Sequence, residues 1–184
     1  MKKTVMCILA ALTFAGCTST PVKDEPVKSD MSGYATLEDD NHVFYDLSVK
    51  QMAEKMDEKE TFTVYFGFDH CAWCLEAVPI LNATAKEYDM QVGYINTRAD
   101  EQWQSNLDID DYDIVVERLG EYLEYDNDGI RHLYTPHVFF IKDGQVVSEH
   151  SGSIEGHNAK EESLSEEEKK QLREIYEEGF EALK

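Results

Sequence analysis

From about residue 42 onward the chain alternates short β-rich runs with amphipathic stretches, and its last two β runs are joined by a tight Asp-Gly turn. Val43-Phe44-Tyr45 reads as a short strand. Ser48 opens a helix, because Ser48 and Gln51 have capping-box spacing and Val49, Met52, Ala53 and Met56 recur on one face. Thr61 to Phe68 is rich in Thr, Val, Tyr and Phe, the composition of a buried strand. Residues 71–88 form the next helix, with Leu75, Val78, Leu81, Ala85 and Tyr88 on one side and Pro79 placed to kink it. Gln91 to Asn96 is a strand. A longer segment, Thr97 to Tyr134, carries a helix whose apolar face is Tyr112, Val115, Val116, Leu119, Tyr122 and Leu123, and then a turn at 126–129. His137–Ile141 and Val146–Glu149 flank Lys142-Asp143-Gly144-Gln145, a strong hairpin signal. Ser165 and Glu168 cap a last helix with Leu172, Ile175, Tyr176, Phe180 and Leu183 inward. The order β-α-β-α-β-α-β-β-α asks for parallel strands first and an antiparallel end. It makes an α/β fold of five strands and about four helices.

The N-terminus has a different character. Lys2 and Lys3 precede an apolar stretch, Val5 to Ala15, too short to span a bilayer, and Gly16-Cys17 follows. Leu12-Thr13-Phe14-Ala15-Gly16-Cys17 resembles a bacterial lipoprotein lipobox, with Phe14 where Leu is usual. The expectation is a signal peptide over 1–16, a lipid on Cys17, a flexible tether over 17–41 and one domain over 42–184. That places the protein in the bacterial cell envelope, held to a membrane from the extracytoplasmic side through Cys17. A formal net charge of -21 with no basic stripe excludes nucleic acid as a partner and disfavours anionic lipid headgroups.

Of the four cysteines, Cys7 leaves with the signal and Cys17 takes the lipid, so Cys71 and Cys74 remain. Cys71 falls between a strand end and a helix start, where free N–H groups and the helix dipole favour a thiolate. Cys74 lies one turn on, where it can resolve a mixed disulfide formed at Cys71. A structural zinc site would want a second Cys/His pair, and no second C-x-x-C exists. Neither that metal nor any other cofactor is required by the pair.

Cys71-Ala72-Trp73-Cys74 after a buried strand, Pro79 five residues past the second Cys, and Thr135-Pro136 before the hairpin resemble the thioredoxin family. The resemblance implies a thioredoxin fold with a central mixed sheet over residues 42–182. It also implies Cys71 as nucleophile, Cys74 as resolving thiol and Pro136 as a cis residue against the pair, with His70, Ala72, Trp73 and Thr135 as neighbours. The activity it implies is thiol–disulfide exchange with exported proteins carrying thiols or disulfides, recharged by a membrane or extracytoplasmic redox partner. Thr63-Val64-Tyr65-Phe66-Gly67 ahead of the motif is similar to thioredoxin-like accessory proteins of bacteriocin export. A non-catalytic accessory role and a copper chaperone using Cys71, Cys74 and His137 are the alternatives.

The chain departs from the family pattern in three places. Tyr65 stands where many members place a buried acid, leaving Asp69 or Glu76 as substitutes. His70 precedes the motif where Trp is frequent, and a protonated His70 would favour the Cys71 thiolate. The Ala72-Trp73 pair assigns neither oxidant nor reductant. Asp108, Asp110 and Asp113, or Glu124, Asp126 and Asp128, read as solvated acidic loops, because an EF-hand would need Glu where Thr135 stands. His42, His132, His150 and His157 are expected at the surface.

Overall fold

The computed structural model describes residues 26–98 and 107–184. The strands are β1 (Phe44–Asp46), β2 (Phe62–Gly67), β3 (Val92–Asn96), β4 (Glu124–Tyr125), β5 (Arg131–His132), β6 (His137–Lys142) and β7 (Gln145–Ser151). The helices are α1 (Val49–Asp57), α2 (Ala72–Glu87), α3 (Ile109–Leu119) and α4 (Glu166–Ala182). Five strands form one sheet in the order β1-β3-β2-β6-β7, and β4 with β5 makes a separate ribbon. β1 and β2 run parallel to β3, whereas β6 runs antiparallel to both β2 and β7. This is the thioredoxin fold that the resemblance implies, with the parallel start and antiparallel end that the alternation and the hairpin ask for.

β2 is buried along its whole length because it lies mid-sheet between two helical layers. Its side chains alternate between two cores. Tyr65 joins Val78, Leu81, Phe140, Leu172 and Phe180 beneath α2 and α4. Val64 and Phe66 join Met52, Val115, Leu119 and Phe139 beneath α1 and α3. Both expected capping boxes form, at Ser48 with Gln51 and at Ser165 with Glu168. In the hairpin turn Asp143 and Gly144 both adopt positive φ, 51° and 76°, the conformation that an Asp-Gly turn supplies.

The domain begins earlier than expected. Val27 and Ser29 bond across to β1 (Asp46 N–H to Val27 O, 2.8 Å; Ser29 N–H to Phe44 O, 3.2 Å). Met31 and Tyr34 are core residues, 4% and 2% exposed. Residues 27–41 are therefore not a tether. Their polar average hides two apolar anchors spaced by a turn. This segment also completes α2. Pro79 has no N–H, so the Leu75 carbonyl lacks its helical donor. The Thr36 hydroxyl donates to that carbonyl instead, and α2 runs on through Pro79 to Glu87. The expected signal at 1–16 and the lipid site at Cys17 lie outside the described residues, as do residues 99–106. No helix among the described residues is long and apolar enough to cross a membrane.

α4 packs so close to the sheet that a Cβ on Gly179 would come within 2.3 Å of the Phe140 ring. Overpacking costs about 1–3 kcal/mol, against roughly 1 kcal/mol gained in helix propensity. Gly179→Ala is therefore expected to lower the midpoint of urea unfolding. A raised midpoint would mean that the ring moves aside freely.

Candidate active site

Cys71 is the N-cap of α2, with extended backbone at φ −87° and ψ 116°. Its sulfur accepts the Cys74 N–H at 3.2 Å, one of the N–H groups that a helix start leaves unpaired. On its other side the thiol donates to the Thr135 carbonyl at 3.6 Å. Thr135-Pro136 is a cis peptide, and the Pro136 carbonyl accepts Gly152 N–H at 2.7 Å, which ties the loop to the end of β7. The structure thus brings Cys71, Cys74, Thr135 and Pro136 together as the sequence leads one to expect. The Cys71 and Cys74 sulfurs are not joined in a disulfide in this structure.

The two sulfurs differ in their acidity. Cys71 is brought down to about 7. The largest cause is the hydrogen bond from the Cys74 thiol; the backbone N–H groups of Cys74 and Trp73 add to it, and burial opposes them. Cys74 is fully buried. Burial first, and its bond to Cys71 second, push its thiol well above the ordinary range. His70 lines the same cavity as Cys71. Its half-exposed imidazole pairs with Asp69 (Nδ1 to Oδ1, 2.5 Å).

Below Cys74, where the resemblance would place a carboxylate, stand hydroxyls. The Tyr65 phenol lies against the Cys74 thiol as a hydrogen-bonding partner. Tyr34 bonds Tyr65 (3.4 Å between oxygens) and donates to Tyr94 at 3.2 Å. Burial raises all three phenols, so they remain neutral donors. Gly67 makes the arrangement possible, since a Cβ there would meet the Tyr65 hydroxyl at 2.1 Å. Glu76 is not free to replace the missing acid. It holds the 152–164 loop, accepting Leu164 N–H at 2.9 Å and pairing with His157 Nε2 at 2.8 Å. His157 has no exposed side-chain surface, so it is a buried anchor and not a surface residue.

Sequence reading singled out Tyr65 but missed Tyr34 and Tyr94. The available signal was that Tyr65 and Tyr94 fall mid-strand in neighbouring parallel strands, where they pair in register. Tyr34 lay in the stretch read as tether. His137, the proposed third copper ligand, bonds Glu149 through Nε2 at 2.7 Å and stacks on Phe139. That is the side of the sheet opposite the core that holds Cys74. Among the described residues no group of three or more His, Cys, Asp or Glu is arranged to hold a metal ion. Asp108 and Asp126, two of the acidic-loop residues, serve local backbone: Asp108 caps α3, and Asp126 accepts the N–H groups of Asp128 and Ile130.

Cys71 opens onto a cavity of about 790 Å³. Ala72 and Trp73, the residues between the cysteines, line it next to Cys71. The Trp73 indole N–H donates to the His157 carbonyl at 3.4 Å, fixing the ring at the cavity edge.

No protein-family model matches the chain, and no curated protein matches it. Among solved structures, one described as a proposed oxidoreductase with a thioredoxin fold is similar at 19% identity and a TM-score of 0.43, covering 60% of this chain and 83% of its own.

Two outcomes follow for the thiols. In the reduced protein, iodoacetamide should alkylate one fast thiol, Cys71, with a midpoint near pH 7 and a rate falling about tenfold per pH unit below it. Tyr65→Phe removes a donor to the Cys74 thiolate. A hydrogen bond to a charged group is worth about 1.5–3 kcal/mol, so resolution of a Cys71 mixed disulfide should slow about tenfold or more in stopped-flow measurements. Unchanged resolution would assign Tyr65 to packing alone.

Proposed function

We propose that this protein is a membrane-anchored thiol–disulfide oxidoreductase acting on exported proteins outside the cytoplasm. The observation that carries the reading is the asymmetry of the pair: a Cys71 thiol lowered to about 7 at a cavity wall, one turn from a buried Cys74. In the reducing direction the Cys71 thiolate attacks one sulfur of a client disulfide. The Cys71–client S–S bond forms, the client S–S bond breaks, and the second client sulfur leaves as thiolate and takes a proton. Cys74 then loses its proton and attacks the Cys71 sulfur. The Cys71–Cys74 bond forms, and the first client sulfur leaves as a thiolate. Two electrons have passed to the client. The same steps reversed oxidise a client dithiol, and an external thiol or disulfide partner resets the pair. The anchoring part of the proposal rests on the lipobox-like residues ending at Cys17.

The test is a trap. Cys74→Ser should accumulate mixed disulfides with clients through Cys71, whereas Cys71→Ser should not. Wild type should reduce insulin disulfides or refold scrambled ribonuclease. Failure of both assays with correct folding would favour the non-catalytic accessory role. Cys17→Ser should release the protein from the membrane fraction or block its processing; unchanged retention would overturn the lipid anchor.

A further inference from the structure

We propose that the cavity beside Cys71 is a client groove selective for an extended protein segment rich in Asp and Glu, with the β4–β5 ribbon as its second wall. The proposal names the substrate class of the redox reading above, and only its exchange step rests on that reading.

The first observation is charge. The chain carries 38 Asp and Glu against 17 Lys and Arg, yet none of the described residues lining this cavity is acidic. Three of them are Arg98, Arg131 and Lys160. Elsewhere many cations sit on carboxylates, among them Lys55 on Glu60, Lys86 on Asp39, Arg118 on Asp57, and Arg173 on Glu87 and Glu177. Among the described residues, Arg98, Arg131 and Lys160 form no ion pair. They rest on aromatic faces instead: Arg98 over Phe68 at 5.8 Å, Arg131 over Tyr125 at 4.2 Å and Lys160 over Trp73 at 5.6 Å. Arg98 Nε is buried with no hydrogen-bond partner. Three such cations beside one thiol, with no acidic residue among the described lining, complement an anionic partner.

The second observation is exposed apolar surface at the same place. Ile130 is 60% exposed and Tyr134 43% exposed, and both line the groove. Exposed apolar side chains framed by cations mark a contact surface for a protein segment and not for a small inorganic anion.

The third observation is that the wall is built. The Tyr112 hydroxyl on α3 donates to the Arg131 carbonyl at 2.9 Å and accepts Leu133 N–H at 3.0 Å. Arg131 Nη1 donates to the Leu123 carbonyl at 2.7 Å. On the other side, Glu76 and His157 dock the loop that carries Lys160. The groove therefore has set positions for its charges, on elements that the sheet itself does not need.

The experiment uses the full chain in detergent and three labelled peptides of equal length, with Ser in place of cysteine and with Asp/Glu, Gln or Lys flanks. Anisotropy titration should show the acidic peptide binding about tenfold more tightly than the Gln peptide, with the Lys peptide weakest. Raising salt should shrink that gap, as screening requires. Arg131→Gln combined with Lys160→Gln should reduce the preference to threefold or less. Because Arg131 also holds the ribbon, Lys160→Glu alone is the second variant, and it should at least halve the preference. Equal binding of acidic and Gln peptides, or a preference untouched by both variants, overturns the proposal. Cysteine-containing versions then separate the two readings. Equal binding with equal exchange rates removes the groove selectivity and leaves the oxidoreductase. Selective binding without any exchange removes the oxidoreductase and leaves the groove.

Discussion

A single helical turn separates two sulfur atoms with opposite surroundings. Cys71 receives the Cys74 N–H at 3.2 Å, and Cys74 itself reaches no solvent. The N-cap position makes this possible, because an N-cap must have non-helical backbone and must accept from the turn that follows. A sulfur placed there becomes the acceptor that the helix start lacks. The negative charge that this geometry favours is the nucleophile that exchange chemistry needs. The second sulfur, inside the first turn, has no such choice. Burial keeps its proton on until a mixed disulfide forms at Cys71 and removes the partner that holds it.

The buried end of that pair depends on parts far apart in sequence. A carboxylate under Cys74 would take up its proton; the neutral phenols of Tyr65, Tyr34 and Tyr94 do not, and Tyr65 acts on Cys74 through hydrogen bonding. The cluster also binds the N-terminal segment to the sheet. Tyr34 spans to Tyr65 and Tyr94, and Thr36 supplies the donor that Pro79 withholds from Leu75. A close approach at Gly33 lets the segment pass Asp69, since a Cβ there would come within 1.8 Å of the carboxylate. Loss of the segment would therefore disturb both the fold and the proton inventory of Cys74.

Local spacing carried the five strands of the main sheet and the four helices, because each is a pattern within a few residues. Ser48 with Gln51, Ser165 with Glu168, and Asp143-Gly144 stand where their spacing placed them. The misreadings share a different cause. Met31 and Tyr34 are single anchors in a polar stretch, and averaging over that stretch erases them. His157 looks like a loop histidine until Glu76, 81 residues earlier, is found against it. In each case the deciding contact is long-range or directional, and neither property leaves a periodic trace.

The segment between β3 and β6 has the same logic at larger scale. A minimal sheet of this topology needs only a crossover there, and α3 supplies it by burying Val115 and Leu119. The β4–β5 ribbon contributes little to that core: Leu123 and Leu133, which flank it, are buried, while Tyr125 and Ile130 remain exposed. Exposed apolar residues are costly to solubility when nothing covers them. Their cost is lowest in a chain whose remaining surface is strongly acidic, since that surface keeps copies apart. The acidic client proposed above would meet that repulsion over much of the surface and cations at the groove beside Cys71. General repulsion and local attraction would then act together, favouring the groove beside the only described thiol with solvent access.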